Sequence, residues 1–287
     1  MDRIVEPVIG LDKKVTADSM PTMVKRAIMC FRIGGKMIRI LAIGNSFSED
    51  ATYYLHQILE AAGVENLAVN LYIGGCPLEK HWFNIENASR EYQLQVNGEK
   101  TDRKVSVQDM LREAKWDFIV TQQASHDSGW MDTYEPFLGN MVEYLRKNAV
   151  GAKLLLHETW AYEKDSTHWN FGRYHKDQQE MLRRLRVAYT TMAEKYGLSL
   201  IPGGELIQAL RGTEYFGEGA DRTICRDGFH MHYIYGRYAL GCIWAKTIAG
   251  IPVKGNAFVP RTIYMPSEEP DREIIDIIQS VTDEMEV

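Results

Sequence analysis

From residue 38 onward the chain alternates short aliphatic or β-branched runs with longer stretches of helical periodicity, the pattern of a parallel α/β sheet. The runs are "IRILAI" (38–43), "LAVNLYI" (67–73), "DFIVTQ" (117–122), "KLLLHE" (153–158) and "LSLIP" (198–202), which predict five strands. Helical patterns fill the intervals at 49–63, 106–115, 135–149, 173–196, 204–211 and 233–249. Three of them stop at Gly63, Gly197 or Gly250, and glycine ends a helix well because it enters the left-handed conformation without a Cβ clash. In the 173–196 pattern Met181, Leu185, Ala188 and Met192 share one face, which is read as packing.

Two segments depart from this rhythm. Residues 76–105 are too long for a plain strand-to-helix connection and contain Asn97-Gly98, a strong two-residue hairpin signal, so a small excursion at the sheet edge is expected there. After Pro270 an acidic amphipathic helix carries Ile274, Ile277 and Ile278 toward a neighbour. The first 36 residues have mixed charge and no sustained period, and are read as an extension ahead of a single domain at 37–287; Met37 is a candidate initiator. Basic residues precede the short apolar patch near Cys30, but Arg32 interrupts it and no small-residue cleavage site follows. The expectation is therefore a cytoplasmic chain, with export the alternative if its true start lies elsewhere.

Composition narrows the function. A chain of 287 residues with 45% hydrophobic and 25% charged content can bury one large core. Its net charge of −6 disfavours nucleic acid or an anionic membrane as partner and leaves small molecules or neutral polymers. Cys30, Cys76, Cys225 and Cys242 form no CxxC pair, so buried thiols are expected rather than a zinc or redox motif. No cofactor is expected, and the oligomeric state is left open.

In open parallel sheets ligands bind beyond the carboxyl ends of the strands, so the residues just after each run carry the information. These are Gly44-Asn45-Ser46-Phe47-Ser48, Gly74-Gly75-Cys76, Gln122-Gln123-Ala124-Ser125-His126 and His157-Glu158-Thr159-Trp160. Ser46 has two readings. Ser46 to Glu49 matches the S-x-x-E capping box, yet the same place suits a nucleophile at the positive end of a helix. Near the far end, "DGFH" sets Asp227 three residues before His230, the pair that a serine hydroxyl needs as base and orienting carboxylate; such a pair also serves turns and caps.

The order of these blocks, over roughly residues 38–250, resembles the SGNH or GDSL-like hydrolase superfamily, and the fuller pattern "ILAIGNSFSEDATYYLH", "YIGGCPLEKHW", "WDFIVTQQAS" and "DGFHMHYIYGRY" resembles a branch catalogued as a domain of unknown function. The resemblance implies a flavodoxin-like three-layer α/β/α sandwich with a five-stranded parallel sheet. It implies Ser46 as nucleophile, His230 as general base and Asp227 as its partner. It also implies an oxyanion hole from the Ser46 and Gly75 backbone N–H groups and a third donor after the third strand. The superfamily's G-x-N is replaced by "TQQASHD", and Gln122 is taken as that donor, with Gln123 and His126 behind it. Trp82, Trp130, Trp160 and Trp169 follow strands two to four, and Gln123, His126, Trp160 and Trp82 are expected at the substrate.

The reading is a serine esterase that removes an acyl group, acetyl foremost, from a carbohydrate or other small ester. Two alternatives stand beside it. One is a flavodoxin-like module that binds an anion or sugar without catalysis. The other is a metal-dependent hydrolase using His157, His230 and His232, with Glu158 or His168 as further ligands.

Overall fold

The computed structural model describes residues 37–287. Its strands are β1 (Ile38–Gly44), β2 (Asn66–Tyr72), β3 (Tyr92–Val96), β4 (Glu99–Val105), β5 (Phe118–Thr121), β6 (Lys153–His157) and β7 (Ser199–Ile201). They form a seven-stranded sheet in the order β4-β3-β2-β1-β5-β6-β7. The five aliphatic runs supply its parallel part, with β1 between β2 and β5. The five expected parallel strands are present, and the count rises to seven because the hairpin expected at the sheet edge joins the sheet itself: β3 and β4 pair antiparallel, β3 with β2 and β4 with β3. Their two-residue turn is Asn97-Gly98, with φ of 53° and 86°, the double positive φ that suits the twist of a hairpin. A Cβ on Gly98 would lie 2.2 Å from the Tyr53 carbonyl oxygen, so only glycine fits. Along the outermost strand, Glu99, Lys100, Asp102, Arg103 and Lys104 leave the sheet edge lined with charge.

The helices are α1 (Ser46–Thr52), α2 (Leu55–Ala61), α3 (Leu78–Glu86), α4 (Val107–Glu113), α5 (Phe137–Asn148), α6 (Gln178–Tyr196), α7 (Gly203–Leu210), α8 (Tyr235–Ala249) and α9 (Arg272–Glu284). They flank the sheet in two groups. α1, α2, α7 and α9 pack on α8, whereas α3 packs on α4 and α5. α8 is apolar almost all round and correspondingly buried from Tyr235 to Ala245. Glycine in the left-handed region ends both α6, at Gly197, and α8, at Gly250. On α6 the expected face of Met181, Leu185, Ala188 and Met192 is buried. On α9 the buried isoleucines are Ile274, Ile275 and Ile278, with Ile275 taking the place expected of Ile277.

Three expectations shift. The pattern at 49–63 divides into α1 and α2 around Tyr53 and Tyr54. α6 begins at 178 rather than 173, because a 3-10 turn, Trp169–Tyr174, is followed by His175 and Lys176 at positive φ, after which the Asp177 side chain caps the helix. α3 was read only as part of the excursion. Cys76, Cys225 and Cys242 are buried free thiols, while Cys30 and the extension at 1–36 lie outside the described residues. Among the described residues no helix is long and apolar enough to cross a membrane.

A buried charge cluster joins α1 to the segment 226–237. Asp50, on α1 and fully buried, accepts from Arg237 Nε at 2.7 Å, from Arg226 Nη1 at 3.1 Å and from the Met231 N–H at 2.9 Å. Arg226 in turn donates from its backbone N–H to the His230 carbonyl at 2.8 Å and from its guanidinium to the Met231 carbonyl. The loop 226–231 is therefore tied to the helix that begins at Ser46. Asp50→Ala leaves two guanidinium groups without their buried anion and is expected to cost about 3–5 kcal/mol of stability, read as a lowered midpoint in urea unfolding. A loss under about 1 kcal/mol would show that the cluster does not hold the fold together.

Candidate active site

The turn after β1 decides what Ser46 does. The helix cap is Asn45, not Ser46: its Oδ1 accepts from the Phe47 N–H at 3.0 Å. The capping box read at Ser46–Glu49 is therefore absent. Glu49 instead accepts from Gln95 Nε2 at 2.8 Å and pairs with Lys100 at 3.0 Å. With the cap supplied one residue earlier, the Ser46 hydroxyl is free of helix duty and lies 2.9 Å from His230 Nε2.

His230 Nδ1 lies 2.7 Å from Asp227 Oδ2. Asp227 Oδ1 accepts the backbone N–H groups of Phe229 at 3.2 Å and of His230 at 2.7 Å, so one short loop orients both carboxylate oxygens. Burial would raise the Asp227 pKa, but the hydrogen bonds from the His230 ring and from both backbone groups outweigh it and hold the carboxyl at about 2. An ionised carboxylate only accepts, so the imidazole proton sits on Nδ1 and Nε2 is left to take a proton from Ser46. Ser46, His230 and Asp227 are thus brought into one hydrogen-bonded run from opposite ends of the described chain.

A cavity of about 230 Å³ opens in front of Ser46, lined by Phe47, Tyr72, Gly74, Gly75, Ser125, His126, His168, Phe229 and His230. Gly75, with φ of +62° and nothing within 4 Å of a would-be Cβ, keeps its backbone open to an incoming group. Of the expected site residues, Ser46, Gly75, His126 and His230 line the cavity and Asp227 stands behind His230, whereas Gln122, Gln123, Trp160 and Trp82 lie elsewhere.

Gln122 is the main correction. It is buried, its Nε2 donates to Asn45 Oδ1 at 2.9 Å, and its Oε1 faces His157 Nδ1 at 2.8 Å. Burial lowers the His157 pKa to about 3, so the ring is neutral and its Nδ1–H donates to Gln122. The amide that was expected to face a substrate is spent inside the core. There it fixes Asn45, whose own Nδ2 donates to the Cys76 carbonyl at 3.0 Å. His157, Gln122 and Asn45 form a relay that locks the backbone at Ser46 against the loop beside Gly75.

Gln123 is also internal, with Oε1 accepting the Leu78 N–H at 2.9 Å and Nε2 donating to the Thr133 carbonyl at 2.9 Å. Trp160 is fully buried beneath the site rather than at a substrate; it stacks on Phe47 at 4.0 Å and donates from its indole to the Phe229 carbonyl at 2.7 Å. Trp82, on α3, packs edge-on against Tyr144 of α5. His157, His230 and His232 are not assembled as ligands, since no cluster of three His, Cys, Asp or Glu side chains able to hold a metal exists among the described residues.

Tyr72, Ser125, His168 and Phe229 also line the cavity, a place not expected of them. Their signal was position alone. Ser125 follows the third parallel strand, Tyr72 ends the second, and Phe229 sits inside D-x-x-H. The Ser125 hydroxyl lies 2.8 Å from the buried Tyr162 phenol, whose pKa burial raises, so the phenol keeps its proton.

Residues 39–271 match the family model described as a domain of unknown function, DUF4886. A DUF4886 family protein from Bacteroides uniformis is 34% identical, covers 86% of this chain and 94% of its own, and superposes with a TM-score of 0.78. The fold is also that of a candidate SGNH hydrolase from Slackia heliotrinireducens, 22% identical with a TM-score of 0.53 over 74% of this chain and 99% of that one. It is likewise that of an acetyl xylan esterase, 17% identical with a TM-score of 0.51 over 74% of this chain and 100% of that one. No curated protein matches the chain.

Proposed function

We propose that this chain, which belongs to the DUF4886 family, is a serine ester hydrolase of the SGNH type that removes a small acyl group, acetyl foremost, through an acyl-enzyme. The observation that carries the reading is the run from Ser46 Oγ to His230 Nε2 at 2.9 Å and from His230 Nδ1 to Asp227 Oδ2 at 2.7 Å. A serine hydroxyl is too weak an acid to attack unaided, and a neutral imidazole whose other nitrogen is bound by a carboxylate is the base it requires.

Ser46 attacks the ester carbonyl while His230 takes its proton. The carbonyl oxygen becomes an anion held by the Ser46 backbone N–H at the start of α1 and the Gly75 backbone N–H in the loop after β2. His230 returns the proton to the leaving alcohol, and water then releases the acid by the same steps in reverse. The cavity of about 230 Å³ falls below the roughly 300–1,000 Å³ of a drug-sized site and suits an acetyl group better than a long chain.

The third donor to the oxyanion passes from Gln122 to Ser125. Its hydroxyl lines the cavity 2.8 Å from the Tyr162 phenol, and its proton is available to a ligand when the phenol donates to it. Ser125→Ala is expected to lower kcat on an acetyl ester about 10²-fold with KM little changed, because the donor acts on charge that develops only in the transition state. Unchanged kcat would return the role to another group.

The reading is tested by incubating the protein with a fluorophosphonate and mapping the adduct. Label on the peptide containing Ser46, lost in Ser46→Ala, supports it; label elsewhere or none rejects it.

A further inference from the structure

The largest exposed aromatic side chain beside the cavity is Trp169, which is 83% exposed although the turn that carries it is anchored by buried Asn170, Phe171 and Tyr174. An indole left in water forgoes the gain that burial of its large apolar face would bring. This one is held in place. It stacks on His168, with ring centroids 6.0 Å apart and planes within 17°, and it leans on His126 at 6.3 Å. His168 is itself fixed edge-on by Phe229 at 4.7 Å.

His168, His126 and Phe229 line the cavity of Ser46, so the indole continues that wall outward. The cavity accommodates the acyl group, which leaves the alcohol of an ester to cross the rim where Trp169 stands. The rim is also polar. His168 Nδ1 accepts the Asn170 N–H at 3.2 Å, and burial together with neighbouring His126 and His230 lowers the pKa of His168. The neutral ring therefore carries its proton on Nε2 and offers a donor there.

Resting on the esterase reading, we propose that Trp169 is the platform for the alcohol half of the substrate and that this half is a pyranose ring. Its C–H face lies on the indole, and its hydroxyls meet the His168 and His126 imidazoles. A pyranose hydroxyl can accept from the His168 donor at the rim, whereas an alkyl alcohol gains nothing from it and leaves it to water. Trp169 acts on binding of the alcohol and takes no part in bond making or breaking.

The test compares two acetates of the same ester chemistry, a methyl O-acetyl-glucopyranoside and the acyclic 2-methoxyethyl acetate. Trp169→Ala is expected to raise KM for the pyranoside roughly three- to tenfold, the range of a single aromatic contact. It should leave kcat and the acyclic ester within about twofold, while Trp169→Tyr restores most of the difference. The exposed position makes an unchanged melting temperature the control for folding. A separate readout is binding of the pyranoside acetate to Ser46→Ala, followed by tryptophan fluorescence, with the change lost in the Ser46→Ala, Trp169→Ala double variant. Equal KM increases on both esters, or no change on either, would overturn the platform while leaving the esterase intact. Failure of the wild-type chain to cleave either ester would remove the esterase reading and the platform with it.

Discussion

Ser46→Ala is expected to lower turnover of an activated acetyl ester by about three to six orders of magnitude, because the hydroxyl is the atom that bonds to the acyl group and no neighbour replaces it. The same substitution should leave stability within about 0.5 kcal/mol. Asn45, not Ser46, closes the helix, and alanine is the best helix former at the position vacated. The pair of measurements separates the two readings of "GNSFSE". Were Ser46 the cap, the variant would lose about 1 kcal/mol of stability and no activity. Turnover of a nitrophenyl acetate and a thermal melt on the same preparation decide between them, and undiminished turnover would end the nucleophile assignment.

Asp227→Asn should reduce kcat about 10²- to 10⁴-fold with a smaller effect on KM. The reason is tautomeric. In the native loop one carboxylate oxygen holds two backbone N–H groups and the other binds His230 Nδ1. An amide can satisfy the backbone with its oxygen only by turning its NH₂ toward Nδ1. The ring must then carry its proton on Nε2, where it no longer accepts from Ser46. Asp227→Ala with added formate or acetate should regain part of the loss, since a free carboxylate refills the place; a variant as active as wild type would show that the carboxylate does not orient the base. Acidity gives an independent sign. The Asp227 carboxyl is held at about 2, below its ordinary value, so what it contributes to the folded loop is present above the usual carboxylate range and fades only as pH falls toward that value.

The strands and the loops beyond them were readable because their signal is local. Aliphatic runs with period and glycine punctuation mark an element wherever it ends up, and Asn97-Gly98 names its own turn. Asp227 and His230 were readable because three residues on one loop bring them together without help from the fold. What was not readable depended on partners distant in sequence. Asn45 becomes the cap because Gln122 and Cys76 hold its side chain, and neither bond is visible in "GNSFS". Gln122 turns inward because His157 meets it 35 positions away. Trp82, Trp130, Trp160 and Trp169, all following strands, look alike in sequence, yet Trp160 lies under Phe47 and Trp169 stands in water, a difference set by tertiary packing.

The hairpin of β3 and β4 bears on how the chain behaves among copies of itself. Without it, the apolar β2 segment "NLAVNLY" would present unpaired N–H and C=O groups to any passing strand. As it stands, one margin of the sheet ends in a strand whose charged side chains an added partner would have to desolvate, and the other in the three residues of β7, too short to template one. Removal of residues 92–105 would therefore expose the chain to intermolecular strand addition, and aggregation would precede any change at Ser46.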